Sequence, residues 1–196
     1  MEHRNSNLMI GYWNSLRRGC TAPAQSDIEP RAISRVLPQV FILDAPHPAD
    51  PTYRLAGTAV CWRFGHELRN RNFLDHWDAP SSETLRLLLR RALRTQRPLS
   101  LYSVDCCQDA GRVELETVLA PISITDGEPS RFIGMTQVLS DHAQLSLLNG
   151  AFQSLSASHL IDEAELSSVS NYSLSQLSFA KYSLPNRADA VRWARG

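Results

Sequence analysis

The sequence predicts an α+β fold in which an antiparallel five-stranded sheet carries its helices on one face. Three observations predict it. Two short apolar runs, Val40–Asp44 and Tyr53–Ala56, read as early strands. Asp78–Arg97 reads as one long amphipathic helix, and three strand-like segments near 99–107, 112–124 and 130–139 follow Pro98. Two strands, a helical crossover and a three-strand meander are the order such a sheet requires.

Each element has its own local reason. Met9, Tyr12, Trp13 and Leu16 fall at i, i+3, i+4 and i+7, which predicts an amphipathic helix over 5–18 that Gly19 is placed to stop. Pro30 can open a short second helix with Ile33, Val36 and Leu37 on one side, and Pro38 ends it. The Pro-rich stretch Pro46–Pro51 suits a turn, and residues 58–64 suit one or two helical turns. Gly65 to Trp77 is irregular and rich in aromatics. In the long helix Pro80 sits at the start, and Leu85, Leu88, Leu89, Ala92 and Leu93 form one apolar face. Arg86, Arg90, Arg94 and Arg97 flank that face. Asp109-Ala110-Gly111 and Asp126-Gly127-Glu128-Pro129 mark the turns between the last three strands.

Three regions follow: a helical flank at 1–38, a central domain at 39–140, and a tail at 141–196. The tail holds eleven serines between Ser146 and Ser183 and few charges, so it is expected to be only partly ordered. Leu145, Leu148, Phe152 and Leu155 there have the spacing of a docking helix.

Composition narrows the function. The 196 residues are 43% hydrophobic, enough for a real core, and 20 cations balance 20 anions. A neutral chain has no global field to draw nucleic acid or an anionic membrane, so neither is expected as a partner. Lys181 is the only lysine. Cys20, Cys61, Cys106 and Cys107 contain no CxxC pair, which argues against a zinc knuckle and against a secreted disulfide framework. The first residues lack a signal-peptide core, and no apolar run reaches the roughly 18 residues of a membrane span. A cytoplasmic location is the expectation.

The same element order, together with eight local motifs, resembles the PAS-domain family, in particular the small single-PAS proteins of alphaproteobacteria. The motifs are YW-x-x-LR at 12–17, DIEP-x-x-I-x-x-x-LP at 27–38, VFILD at 40–44, YRLAGTAV at 53–60, FGHEL at 64–68, NFLDHW at 72–77, GRVELETVLAPI at 111–122 and RFIGM at 131–135. They cover about residues 8–140 in the correct order. The resemblance implies a five-stranded antiparallel sheet cupping a pocket beneath helices, and a regulator that binds a small ligand, dimerises or docks a partner protein. It departs from the family at His66, where Arg is more usual, and it does not reach the Ser-rich tail.

On that fold Trp62, Phe64, Phe73, Trp77, Leu89, Tyr102 and Met135 are expected to converge on the pocket, with His76 and Tyr102 as polar handles. Equally, these side chains can simply fill a core. No cofactor is identifiable. Cys61-Trp62-Arg63-Phe64 invites comparison with a flavin photosensor motif, but the Cys follows the second strand instead of lying on a later helix, so it reads as a structural thiol. Residues 80–97 hold no His to ligate haem. His66 and His76, with Glu67 and Asp75 beside them, read as caps and surface contacts before they read as a metal site. Cys106 and Cys107 lack the cationic surroundings of a redox switch. Arg31 with Arg35, and Arg90 with Arg94, have helical spacing that could grip phosphates, although a solvated helix face explains the same pattern. No phosphate loop, GxSxG elbow or HExxH helix is present, so no enzyme activity is expected.

Met9, Tyr12, Trp13 and Leu16 give the N-terminal helix more apolar surface than a solvated helix should expose. Homodimerisation and capping of the sheet both satisfy that pattern, and a dimer is favoured. Two functions remain: a sensor whose pocket takes a small molecule and alters partner binding, and a ligand-free adaptor that dimerises and docks an unidentified protein.

Overall fold

The computed structural model describes residues 1–19, 21–47, 50–107, 111–124, 127–140 and 152–169. Helix α1 spans Arg4–Leu16 and opens where His3 Nδ1 accepts a hydrogen bond from the Asn5 amide at 3.0 Å. Residues 30–36, expected as a helix, are instead a run of turns. Their amides reach three residues back, as from Ala32 to Glu29 and from Val36 to Ile33, each at 3.0 Å. A 3-10 turn at Leu37–Gln39 closes the run. So short a segment, ended by Pro38, cannot propagate an α-helix.

Strands β1 (Val40–Asp44) and β2 (Thr52–Ala56) lead into helix α2 (Thr58–Phe64). Gly65 stops α2 in the left-handed region at φ 72°, a conformation that favours glycine. A 3-10 turn at Phe73–His76 precedes α3 (Ala79–Thr95). Asp78 caps α3, its Oδ1 accepting from the Ser81 amide at 2.8 Å, and Pro80 occupies its first turn. Strands β3 (Leu99–Cys107), β4 (Gly111–Ile122) and β5 (Arg131–Val138) follow as a meander.

One strand more than the expected five is present. β6 (Gln153–Leu160) pairs antiparallel with β3, giving the order β2-β1-β5-β4-β3-β6. Of the four residues read as a docking helix, Leu145 and Leu148 lie outside the described residues, Phe152 precedes β6 and Leu155 is within it. Backbone pairing with β3 sets this segment, so it carries almost none of the apolar periodicity that marks a strand. Its other edge is tied to the start of α3. The Asp78 amide donates to Gln153 O at 3.0 Å, and the Leu155 amide donates to Ser81 Oγ at 2.8 Å.

The sheet divides two apolar cores. On one face Phe41, Leu43, Leu99, Leu101, Leu119 and Phe132 meet α2 and α3. On the other, Val40, Val118, Ala120, Ile122, Ile133 and Met135 meet α1 and the short helix α4 (Glu163–Val169). Gly134 lets the Phe41 ring lie flat on the inner face, because a Cβ there would overlap it.

Met9, Tyr12 and Trp13 are 1%, 8% and 1% exposed, and Leu16 packs partly buried beside them. These four, expected to form a dimer interface, are thus covered by the chain's own sheet. Trp13 Nε1 also donates to Pro121 O at 2.7 Å, which seats the indole on β4. Capping, the other reading of the same pattern, is what the side chains do.

Candidate functional site

The inner face of the sheet and the helices over it form the candidate site. Period-two alternation puts Leu99, Leu101, Ser103 and Asp105 of β3 on this face. The face therefore changes character along the strand: apolar at 99–101 and polar at 103–105. β4 and β5 repeat the change, with Leu119 and Phe132 at one end and the Thr117–Thr136 hydroxyl pair, 2.9 Å apart, toward the other.

Over the apolar end the rings touch one another. Phe41 lies 5.6 Å from Tyr53 and 6.1 Å from Phe73, centroid to centroid, and Phe73 lies 5.7 Å from Trp77. Leu89 of α3 is fully buried in the same cluster. Phe64 packs tilted against His76 with ring centroids 4.1 Å apart, and His66 is 5.7 Å from His76.

Over the polar end Arg63 of α2 forms an ion pair with Asp105, and both side chains are under 10% exposed. Each charge offsets part of the other's desolvation, so neither can lose its partner without a large penalty. Beside them Ser103 Oγ donates to Gln153 Oε1 at 3.2 Å, so the sixth strand helps close this end.

Of the eight expected pocket residues, the structure brings together Phe64, Phe73, His76, Trp77 and Leu89. Trp62 is half-buried on α2 and stands outside that cluster. Tyr102 and Met135 are corrections. Met135 belongs to the core under α1, and Tyr102 has the opposite parity to Leu101, so both face away from the cup. Tyr102 lines a separate recess of about 240 Å³ with Glu2, Glu114 and Ser156. Its hydroxyl is pushed up to about 12 by burial and by the nearby Glu116 carboxylate.

Sequence reasoning missed Tyr53, Arg63 and Asp105. A signal existed for the charged pair. Asp105 is an acid at the same strand parity as Leu99 and Leu101, and Arg63 is the one charge within Thr58–Phe64. Each needed a buried partner.

The electrostatics follow from burial. Tyr53 is held well above the ordinary phenol range, mainly by burial. His76 is pushed down to about 4, first by burial and then by His66, so its ring is neutral at pH 7. Burial also raises the Cys61 thiol, with Glu67 3.5 Å away, which leaves little thiolate to act as a nucleophile. At the aromatic end of the site the buried atoms His76 Nε2 and Trp77 Nε1 have no hydrogen-bond partner among the described residues. No three His, Cys, Asp or Glu side chains among those residues converge as metal ligands. No helix among them is long and apolar enough to cross a membrane.

Comparison with known proteins gives three findings. Residues 1–137 match the family described as PAS domain. No curated protein matches the chain. Among solved structures, the LOV protein of Rhodobacter sphaeroides is similar over 58% of this chain and 70% of its own, with 14% identity and a TM-score of 0.42.

Proposed function

From the premise that this chain belongs to the PAS-domain family, we propose that it is a regulatory module that works by docking a protein partner, with a cup filled by its own side chains. One observation carries the reading: the space between sheet and helices is occupied by the Phe41–Tyr53–Phe73–Trp77 ring cluster and, at its other end, by the Arg63–Asp105 pair. A ligand would have to displace rings packed at interior density or separate two buried charges. The module performs no catalytic step in this reading and acts in the cytoplasm. Any second copy would bind through a surface other than the face of α1, which is already spent.

A thermal-shift screen of nucleotides and metabolites tests it. The expected result is an unchanged melting temperature with every compound. A compound at a hundredfold excess over its Kd would stabilise the protein by about 2.7 kcal/mol, and such a shift, lost on Asp105→Asn or His76→Phe, would overturn the filled cup.

A second reading has its own support. Trp77 Nε1, a donor, and His76 Nε2 are buried polar atoms without partners among the described residues, which the polar groups of a small ligand would satisfy. In that reading the module senses a small molecule and passes the change to a partner. Either way it is a signalling module.

A further inference from the structure

We propose that the solvent face of α3 is the docking surface and that its partner is an acidic protein segment carrying an apolar anchor. This deepens the docking reading above and rests on it. Leu87, Arg90, Arg91 and Arg94 stand at i, i+3, i+4 and i+7 of α3, so they share one side of the helix. The opposite side, with Leu85, Leu89, Ala92 and Leu93, is buried against the sheet, whereas Leu87, Arg90, Arg91 and Arg94 are exposed. Leu87 is 62% exposed, more than any other large apolar side chain among the described residues.

The arginines are unspent. Glu83, one turn earlier, already holds Arg86 at 3.0 Å, and Arg97 beyond the helix donates to Ile161 O at 3.0 Å. Among the described residues no acidic side chain pairs with Arg90, Arg91 or Arg94. Three guanidinium groups with no acidic partner among the described residues thus stand within five residues of a chain whose 20 cations match its 20 anions.

Charge complementarity decides the occupant. Guanidinium groups fork onto carboxylates, and Leu87 at one end of the stripe asks for an apolar contact that a free anion cannot offer. The stripe from residue 87 to 94 runs about 10 Å, the reach of two helical turns of a partner. Two copies related by a two-fold axis would set these arginines against one another, so the face disfavours self-pairing.

Fluorescence anisotropy on the full chain tests this, with a fluorescein-labelled peptide carrying Glu and Leu at helical spacing as the probe. We expect salt-sensitive binding that Arg90→Gln/Arg91→Gln/Arg94→Gln weakens about tenfold. Leu87→Gln is expected to weaken it about threefold. Gln is a good helix former, and circular dichroism checks that the variants stay folded. No binding to the wild type, or equal affinity in the triple variant, overturns the proposal. So does equally tight binding of a peptide lacking Leu, of phosphatidylglycerol vesicles or of duplex DNA, because each would reduce the effect to general attraction of anions. Native mass spectrometry separates the two readings. Lost peptide binding with a bare polypeptide mass moves the docking face elsewhere on the module, whereas a bound small molecule with peptide binding intact overturns the filled cup alone.

Discussion

The two faces of the sheet solve the burial problem with different materials. Beneath α1 the outer core is largely aliphatic, anchored by one indole whose N–H finds Pro121 O. Beneath α2 and α3 the inner core is aromatic at one end and ionic at the other. The aliphatic patch itself carries no group that titrates. The inner face sets a buried ion pair and a half-buried neutral histidine beneath its helices, whereas the outer face confines its titratable groups to the start of α1, where Glu116 accepts from the Glu2 and His3 amides and burial holds His3 below the ordinary histidine range.

The largest effect expected is on the outer face. Trp13→Ala should destabilise the chain by about 4 kcal/mol in urea melts, since it removes a fully buried indole and leaves a cavity under α1. If α1 were a detachable dimer arm, the same change would alter association and leave monomer stability nearly untouched.

Next comes the ionic end of the inner face. Asp105→Ala should cost about 3 kcal/mol by leaving Arg63 buried without its counter-charge. The double variant Arg63→Met/Asp105→Leu should recover most of that loss in the same melts. Failure to recover it would assign the pair a role beyond neutralising each other.

The pH dependence of the inner face should be smaller. Because the folded pKa of His76 lies near 4, below the unfolded 6.5, the unfolded chain takes up the proton first. Stability contributed by the neutral ring is complete above about pH 6.5 and is lost as pH falls toward 4. Urea melts from pH 7 to pH 4 should show this loss at about 2 kcal/mol, allowing for solvent screening, and His76→Phe should remove that part of the slope. Trp13 variants should keep it.

The smallest effect concerns the tie between α3 and β6. Asp78→Ala removes the cap of α3 and the contact with Ser154, at about 1 kcal/mol. Hydrogen exchange should then quicken in β6 before it quickens in β3 or β4. Uniform quickening would show that β6 is no separate unit.

Period decided what was legible in the sequence. β1 through β5, α2 and α3 show their apolar spacing directly, and each forms within two or three residues of the expected place. In β6 Leu155 and Leu160 reach the inner core, but a register shift opposite Tyr102 and Ser103 breaks their alternation and serines stand between them, so its pairing was invisible without β3 beside it. Parity explains the site errors. Once Leu101 and Phe132 are fixed on the inner face, Tyr102 and Met135 must point the other way, but the sequence does not say which parity faces the helices. The stripe on α1 was plain, yet a stripe cannot tell a partner's surface from the chain's own.

Native mass spectrometry of the purified full chain tests the central claim most directly. The account predicts a mass equal to the polypeptide alone in each species observed, monomer or oligomer. A stoichiometric small molecule retained by the folded protein and released on unfolding would contradict it.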